Sequence, residues 1–379
     1  MSPVLSLGSL YITPYSLAIL FGALSAVALF RKKKDYLPLL PSAILGALIL
    51  GHICWVLFCS PMDTHPEGKL YMILHPWEGG YTLYGALLGG ILGAVIAAKA
   101  IGIHWLDALD SLAPGACAAI IFARIGEVFT GEGIGAYVES EWACFFPLSV
   151  CTYQDEFYQE WHYAIWFWEA CAALVLLIIL LRQAKKPVRG RQTVLFLTIL
   201  SSTQIFLEQM RWDNYLRLII FVRVNQLAAL ATLIAVLVTL IVRRRPGRAK
   251  VITCLATLVL ASLSDMATEF VFDKYEYAFW LYLSLPLAVA SCAVMLWVWK
   301  KKKGVLPALL ICLSAAALLI AYSLKNWNEI EMTADLVMIR DLILYGTMIV
   351  DLLCIDLTIF LNLRHGREGN PGPSYNIPE

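Results

Sequence analysis

Charge is scarce in this sequence. Only 15% of its 379 residues are Asp, Glu, Lys or Arg, and 60% are hydrophobic, whereas a soluble domain carries about 25% charged residues. That balance excludes a large soluble domain. A membrane-spanning helix needs ~20 mostly apolar residues, so a chain of this length holds on the order of a dozen spans and short loops. Net charge is nearly absent too, with 29 Lys+Arg against 28 Asp+Glu. No bulk field is left to attract nucleic acid or another polyanion. CxxC pairs and Cys/His clusters are missing, so neither a metal nor a cofactor is expected. Cys54, Cys59, Cys117, Cys171, Cys254, Cys292, Cys312 and Cys354 lie in or beside apolar runs, where a thiol acts as a small buried hydrophobe. Met1–Leu10 lacks a basic n-region, and no small-residue cleavage site follows the first apolar run. That run is read as a retained span.

Apolar runs and their charged interruptions predict an all-α, polytopic transmembrane bundle of about eleven spans, at roughly 11–30, 38–59, 81–102, 106–128, 161–182, 193–210, 222–242, 250–270, 277–299, 305–324 and 336–362. The basic clusters are Arg31 to Lys34, Lys99, Arg182 through Arg191, Arg243 to Lys250, Lys300 to Lys303, and Arg364 with Arg367. With this count all of them fall on one side. Lys and Arg in short loops resist translocation, so the N-terminus is placed outside and the C-terminus in the cytoplasm. The opposing loops, Ser60–Gly80, Phe129–Glu160, Trp212–Phe221, Asp273–Glu276 and Lys325–Thr333, are rich in aromatic, acidic, Gly and Pro residues. Cys144 and Cys151 lie on that outer side, where a disulfide and two free thiols are both open. Intramembrane polar residues beyond about 250 are mostly acidic, whereas the earlier part carries paired Arg and Glu. The expected organisation is therefore a seven-span core over 1–245 and a four-span module over 246–379.

A charge in hydrocarbon costs at least ~2.5–3.5 kcal/mol and needs a partner or a wet cavity. The run from Ala123 to Gly135 places Arg124, Glu127 and Glu132 among glycines at the outer end of the fourth span. Arg124 and Glu127 are three apart and share a helix face. At the outer end of the sixth span Glu208 and Arg211 repeat the spacing. Two arginines at one depth suit a phosphodiester, whose oxygens fit the guanidinium fork. The plainer reading of each pair is an internal ion pair. Arg217 and Arg223 are expected to snorkel at the interface. Gly85, Gly89 and Gly93 form a small-xxx-small stripe that admits a neighbouring backbone or a lipid headgroup.

Several segments, taken in order, resemble prolipoprotein diacylglyceryl transferases. They are Ile12 to Ser16, Gly51 to Trp55, Trp77 to Gly90, Arg124 to Gly135, Phe145-Phe146-Pro147, Phe206 to Arg211 and Asn225-Gln226. The resemblance runs over about residues 5–243. Its strongest piece is Arg-Ile-Gly-x-x-x-x-Gly-Glu-x-x-Gly at Arg124, Gly126, Gly131, Glu132 and Gly135. The family moves a diacylglyceryl group from phosphatidylglycerol to the lipobox cysteine of an exported prolipoprotein, at the outer side of the bacterial plasma membrane. The resemblance implies those two partners among membrane lipids. It also implies that Arg124 and Arg211 bind the phosphate, that Glu132 and Glu208 hold the guanidinium planes, and that Tyr15 and Gln226 line the headgroup pocket beside Gly85.

The chain departs from the family pattern at four places. Tyr84-Gly85-Ala86 stands for His-Gly-Gly, His52 for Arg, Glu127 for Asn, and Tyr163 to Trp166 for His-Pro-Ser-Gln. A phenol of pKa ~10 is a poor imidazole substitute, so Glu127 is expected to accept the proton, with Tyr84 orienting the donor lipid. Two other readings stay open. One is a related transferase with another acceptor. The other is a lipid-binding or transport protein, to which Arg340 and Asp351 would belong because their spacing puts them near one helix face.

Overall fold

The computed structural model describes residues 13–30, 36–58, 68–76, 80–155, 158–184, 188–212 and 222–245, strand pieces at 5–7, 10–12 and 217–219, and isolated helical positions within 247–259 and 338–359. The chain divides into two compact units, Met1–Thr232 and Leu233–Glu379. The first unit carries the strands and the helices that position the site.

Its helices are α1 (Pro14–Leu29), α2 (Leu39–Phe58), α3 (Gly68–Leu74), α4 (Leu83–Ala100), α5 (Trp105–Gly126), α6 (Ile165–Gln183) and α7 (Arg191–Met210), and α8 (Val224–Arg244) runs across the division. Three two-stranded antiparallel sheets accompany them: β1 (Leu5–Leu7) with β2 (Leu10–Ile12), β3 (Ser149–Gln154) with β4 (Gln159–Tyr163), and β5 (Arg217–Ile219) with β6 (Val222–Arg223). The protein is a mostly helical, multi-pass membrane protein. Six of the described helices are long and apolar enough to cross a bilayer, and α1 is a shorter apolar helix. Their exposed positions carry large apolar side chains such as Leu20, Phe21, Ile96 and Val175, as lipid contact requires.

The first seven predicted spans each contain a helix, and three of those spans open on strand residues. Residues 10–12, 159–163 and 222–223 are strands, because a hairpin satisfies the backbone groups that precede each helix. These hairpins correct the all-α expectation in detail. Predicted spans 277–299 and 305–324 lie outside the described residues, as do most of 250–270 and 336–362.

Capping sets several helix starts. Thr13 Oγ1 accepts from Ser16 N at 3.1 Å ahead of Pro14, and Thr82 Oγ1 accepts from Gly85 N at 3.3 Å. Asp110 on α5 takes up the first amides of α7. Its carboxylate accepts from Gly190 N at 2.6 Å and from Thr193 N at 2.8 Å. The glycine stripe is spent on helix packing: a Cβ on Gly89 would overlap the Gly46 carbonyl, and one on Gly93 the Ser42 carbonyl. Of the two expected neighbours, the backbone of α2 is therefore the one the stripe meets. Gly85 belongs to the same seam, since a Cβ there would stand 2.7 Å from Cys54 Cβ and 2.8 Å from Leu50 O.

Candidate active site

The predicted arginines meet. Arg124 occupies the last turn of α5, and Arg211 caps α7 with an extended backbone. Each is buried, at 7% and 4% exposure, so each needs counter-charges close by. Two carboxylates supply them. Glu127, in the 3₁₀ turn Glu127–Phe129 that follows α5, pairs through Oε1 with Arg124 Nη1 and lies 3.5 Å through Oε2 from Arg211 Nη2. Glu169, on α6, places Oε2 3.0 Å from Arg124 Nε and 3.1 Å from Arg211 Nη1. The four side chains close a ring in which each arginine touches both carboxylates.

Gln204 braces the ring from α7. Its Nε2 donates to Glu169 Oε1 at 3.1 Å, and its Oε1 accepts from Arg124 Nη2 at 3.3 Å. Fixed donors and acceptors of this kind hold buried charges in one geometry.

Arg211 is set by its backbone as well. It forms an antiparallel bridge with Gly135, and Trp212 N donates to Ile134 O at 2.8 Å. Gly135 is gripped in turn: its N donates to Tyr163 O at 2.8 Å, and its O faces His162 Nδ1 at 2.8 Å. A Cβ on Gly135 would stand 2.7 Å from Tyr163 Cβ, which explains glycine at this crossing. Gly131 and Gly133 both have positive φ, +71° and +70°, where a side chain is strained.

The other expected residues fall into place around this centre. Gly126 lets α1 approach, since a Cβ there would meet Ala18 Cβ at 2.7 Å and the Tyr15 ring at 3.1 Å. Glu132 donates its backbone N to Glu127 O at 3.3 Å. The Tyr84 hydroxyl, on the first turn of α4, is buried beside the Ser201 hydroxyl of α7. Gln226 accepts from Arg223 N at 3.0 Å and donates to Ile205 O at 3.4 Å.

Two expectations change. Glu208 was expected to hold the guanidinium of Arg211; its side chain instead accepts from Asn225 Nδ2 at 3.2 Å and lies 3.9 Å from Arg223 Nη1. The helical i,i+3 rule applies only while both residues are helical, and the extended cap turns Arg211 off the face of α7. Arg223 does not snorkel. It is 5% exposed and donates from Nη2 to Arg211 O. Glu169 and Gln204 were missed as site residues. The cost of a charge in an apolar run marks Glu169 in the sequence, but its partners come from other helices.

An apolar cleft of about 200 Å³ lies between α1, α2, α4, α5 and α7, lined by residues that include Leu83, Leu87, Ala119, Ile120 and Leu197. Along α5, the lining residue Ile120 stands one turn before Arg124.

The family profile described as prolipoprotein diacylglyceryl transferase matches residues 3–242. The chain belongs to that family. Among curated relatives, the phosphatidylglycerol–prolipoprotein diacylglyceryl transferase of Tropheryma whipplei (strain Twist) is 27% identical over 220 residues, 55% of this chain and 80% of the relative. The protein of the same name from Oceanobacillus iheyensis is 25% identical over 264 residues, 64% and 87% of the two chains. That of Frankia alni is 27% identical over 257 residues, 64% and 66%. All the site residues of this prolipoprotein diacylglyceryl transferase family member lie inside the matched region.

The segment between α5 and α6 of the family member also carries two partly buried thiols, Cys144 and Cys151. Cys144 Sγ lies 3.4 Å from Ser140 O, and Cys151 Sγ lies 3.2 Å from Tyr153 O. Both are free thiols in the structure. Partial burial, then Glu141, then Cys151 push the Cys144 pKa up.

Proposed function

We infer that this protein transfers a diacylglyceryl group from phosphatidylglycerol to the thiol of a lipobox cysteine in exported prolipoproteins. The observation that carries the reading is the convergence of Arg124 and Arg211 on one Glu169 oxygen, with an apolar cleft whose lining residue Ile120 stands one turn before Arg124 on α5. The cleft takes acyl chain while the arginines take phosphate. In the reaction, the carbon–oxygen bond between the diacylglyceryl carbon and the phosphate ester breaks. Its electron pair leaves with glycerol phosphate, whose charge the guanidiniums neutralise. The cysteine sulfur forms the new bond to that carbon, and the thiol proton passes to Glu127, directly or through water. Tyr84 donates a hydrogen bond that orients the lipid. Tyr15, Gly126, Gly131, Glu132, Gly135 and Gln226 shape the headgroup pocket; Gly85, by the close approach of α2 to α4, and Glu208, by holding Asn225, support it. No cofactor is needed.

The site faces the outer side of a bacterial plasma membrane in this reading. Eleven spans, with the N-terminus outside and the C-terminus cytoplasmic, put every basic cluster on one side. Residues 1–245 form the transferase core, and 246–379 add a four-span module.

Complementation of a strain depleted of its own transferase, with mass spectrometry of a reporter lipoprotein, tests the assignment. Rescue with a diacylglyceryl mass on the lipobox cysteine is expected. An unmodified reporter, with the protein present in the membrane, refutes it.

A further inference from the structure

The ring is electrically neutral on its own side chains, two guanidiniums against two carboxylates. A phosphate ester brings another negative charge into this low-dielectric place. Its attraction to the arginines is opposed by the carboxylates unless one of them gives way.

The two carboxylates are held very differently. Glu169 projects from the regular helix α6 with a side chain that is 0% exposed. Both its oxygens are bonded, Oε1 by Gln204 and Oε2 by both arginines. Glu127 sits past the end of α5 in a single 3₁₀ turn, with a side chain at 9% exposure. Its Oε2 has no hydrogen bond among the described residues and keeps only the 3.5 Å approach to Arg211. Beside that oxygen is Gly133, where a Cβ would stand 2.5 Å away. The glycine therefore leaves room for the carboxylate to occupy this place.

We propose that the Glu127 carboxylate is an internal stand-in for the phosphate: it occupies the seat between Arg124 Nη1 and Arg211 Nη2, and an anionic phosphate ester binds by displacing it. The proposal rests on the reading of the arginine pair as a phosphate grip. Glu169 stays in place and keeps the two guanidiniums apart and aligned. Displacement also delivers the Glu127 carboxylate, freed from both cations, to the thiol proton, so binding and proton transfer are coupled through one side chain.

Binding to the purified full-length protein tests this without any turnover. The probes are soluble glycerol phosphate and phosphatidylglycerol in nanodiscs, with uncharged diacylglycerol as control. Glu127→Gln removes the competing charge and is expected to bind the phosphate probes at least about tenfold more tightly, with diacylglycerol unchanged. Glu127→Asp, which keeps the charge, is expected to stay within a few-fold of the wild type. Glu127→Asn repeats the neutral substitution if the Gln protein does not fold. Tighter binding of the free ester alone assigns the seat to the free ester, and tighter binding of both assigns it to the lipid phosphate as well. Equal or weaker binding of both probes by the folded neutral variants overturns the proposal. Absence of transfer by the wild type would remove the proposed function and leave this binding result standing.

Discussion

One oxygen joins Arg124 and Arg211: Glu169 Oε2 lies 3.0 Å from Arg124 Nε and 3.1 Å from Arg211 Nη1. Neither arginine is near the other in sequence, so this shared contact fixes the end of α5 against the end of α7 and sets the spacing of the two guanidinium forks.

That spacing makes the fork geometry testable. Arg124→Lys and Arg211→Lys keep the charge and lose the paired donors. Each is expected to lower turnover of phosphatidylglycerol by roughly ten- to hundredfold, the equivalent of ~1.5–3 kcal/mol for a charged hydrogen bond. Wild-type turnover in a well-folded lysine variant would reduce the pair to a structural role.

Glu169→Gln keeps the shape of the side chain and leaves two arginines facing one carboxylate. Breaking a buried pair typically costs ~3–5 kcal/mol, so the variant is expected to melt well below the wild type in detergent. An unchanged melting curve would mean that Glu169 does not hold the ring together.

Much of this was readable in the chain, for reasons that differ between residues. Arg124 and Glu127 sit within one helical turn, so their pairing follows from local geometry. The membrane character of α2, α4 and α5 follows from run length alone. Glu169 is a solitary charge in an apolar run and Gln204 follows the polar run Ser201-Ser202-Thr203, and the partners of both lie on other helices. Only the packing of α5, α6 and α7 reveals them. Arg223 looked interfacial because it lies just before an apolar run, yet its side chain is buried and donates to the carbonyl of Arg211. Strands of two to six residues leave little periodic trace, which is why the predicted spans ran on through them.

The Cys144 thiol gives a pH test. The Cys144 pKa is raised above its usual 9.0, chiefly by burial, so less thiolate exists at a given pH than in a free cysteine. Alkylation of Cys144, followed by peptide mass spectrometry, is expected to be slower than that of a small model thiol at pH 8 and to climb at a higher pH. A rate matching the model thiol across the range would contradict the burial seen in the loop.

Topology is tested by reporter fusions. Fusions at Lys34, Arg189, Arg248 and Lys302 are expected to report cytoplasm, and those at Ser140 and Asn328 the outside, because basic loops stay inside. An external signal at Lys302 would remove the eleven-span arrangement while leaving the transferase core untouched.

The central claim is carbon–sulfur bond formation at the arginine ring. The most direct measurement incubates the purified full-length protein in phosphatidylglycerol vesicles with a lipobox peptide and follows both products by mass spectrometry. The account predicts that the peptide gains one diacylglyceryl group on its cysteine as glycerol phosphate appears in equal amount, and that both products fall sharply with Arg211→Lys. An unmodified peptide from protein shown to be folded, or modification that continues undiminished in Arg211→Lys, would contradict it.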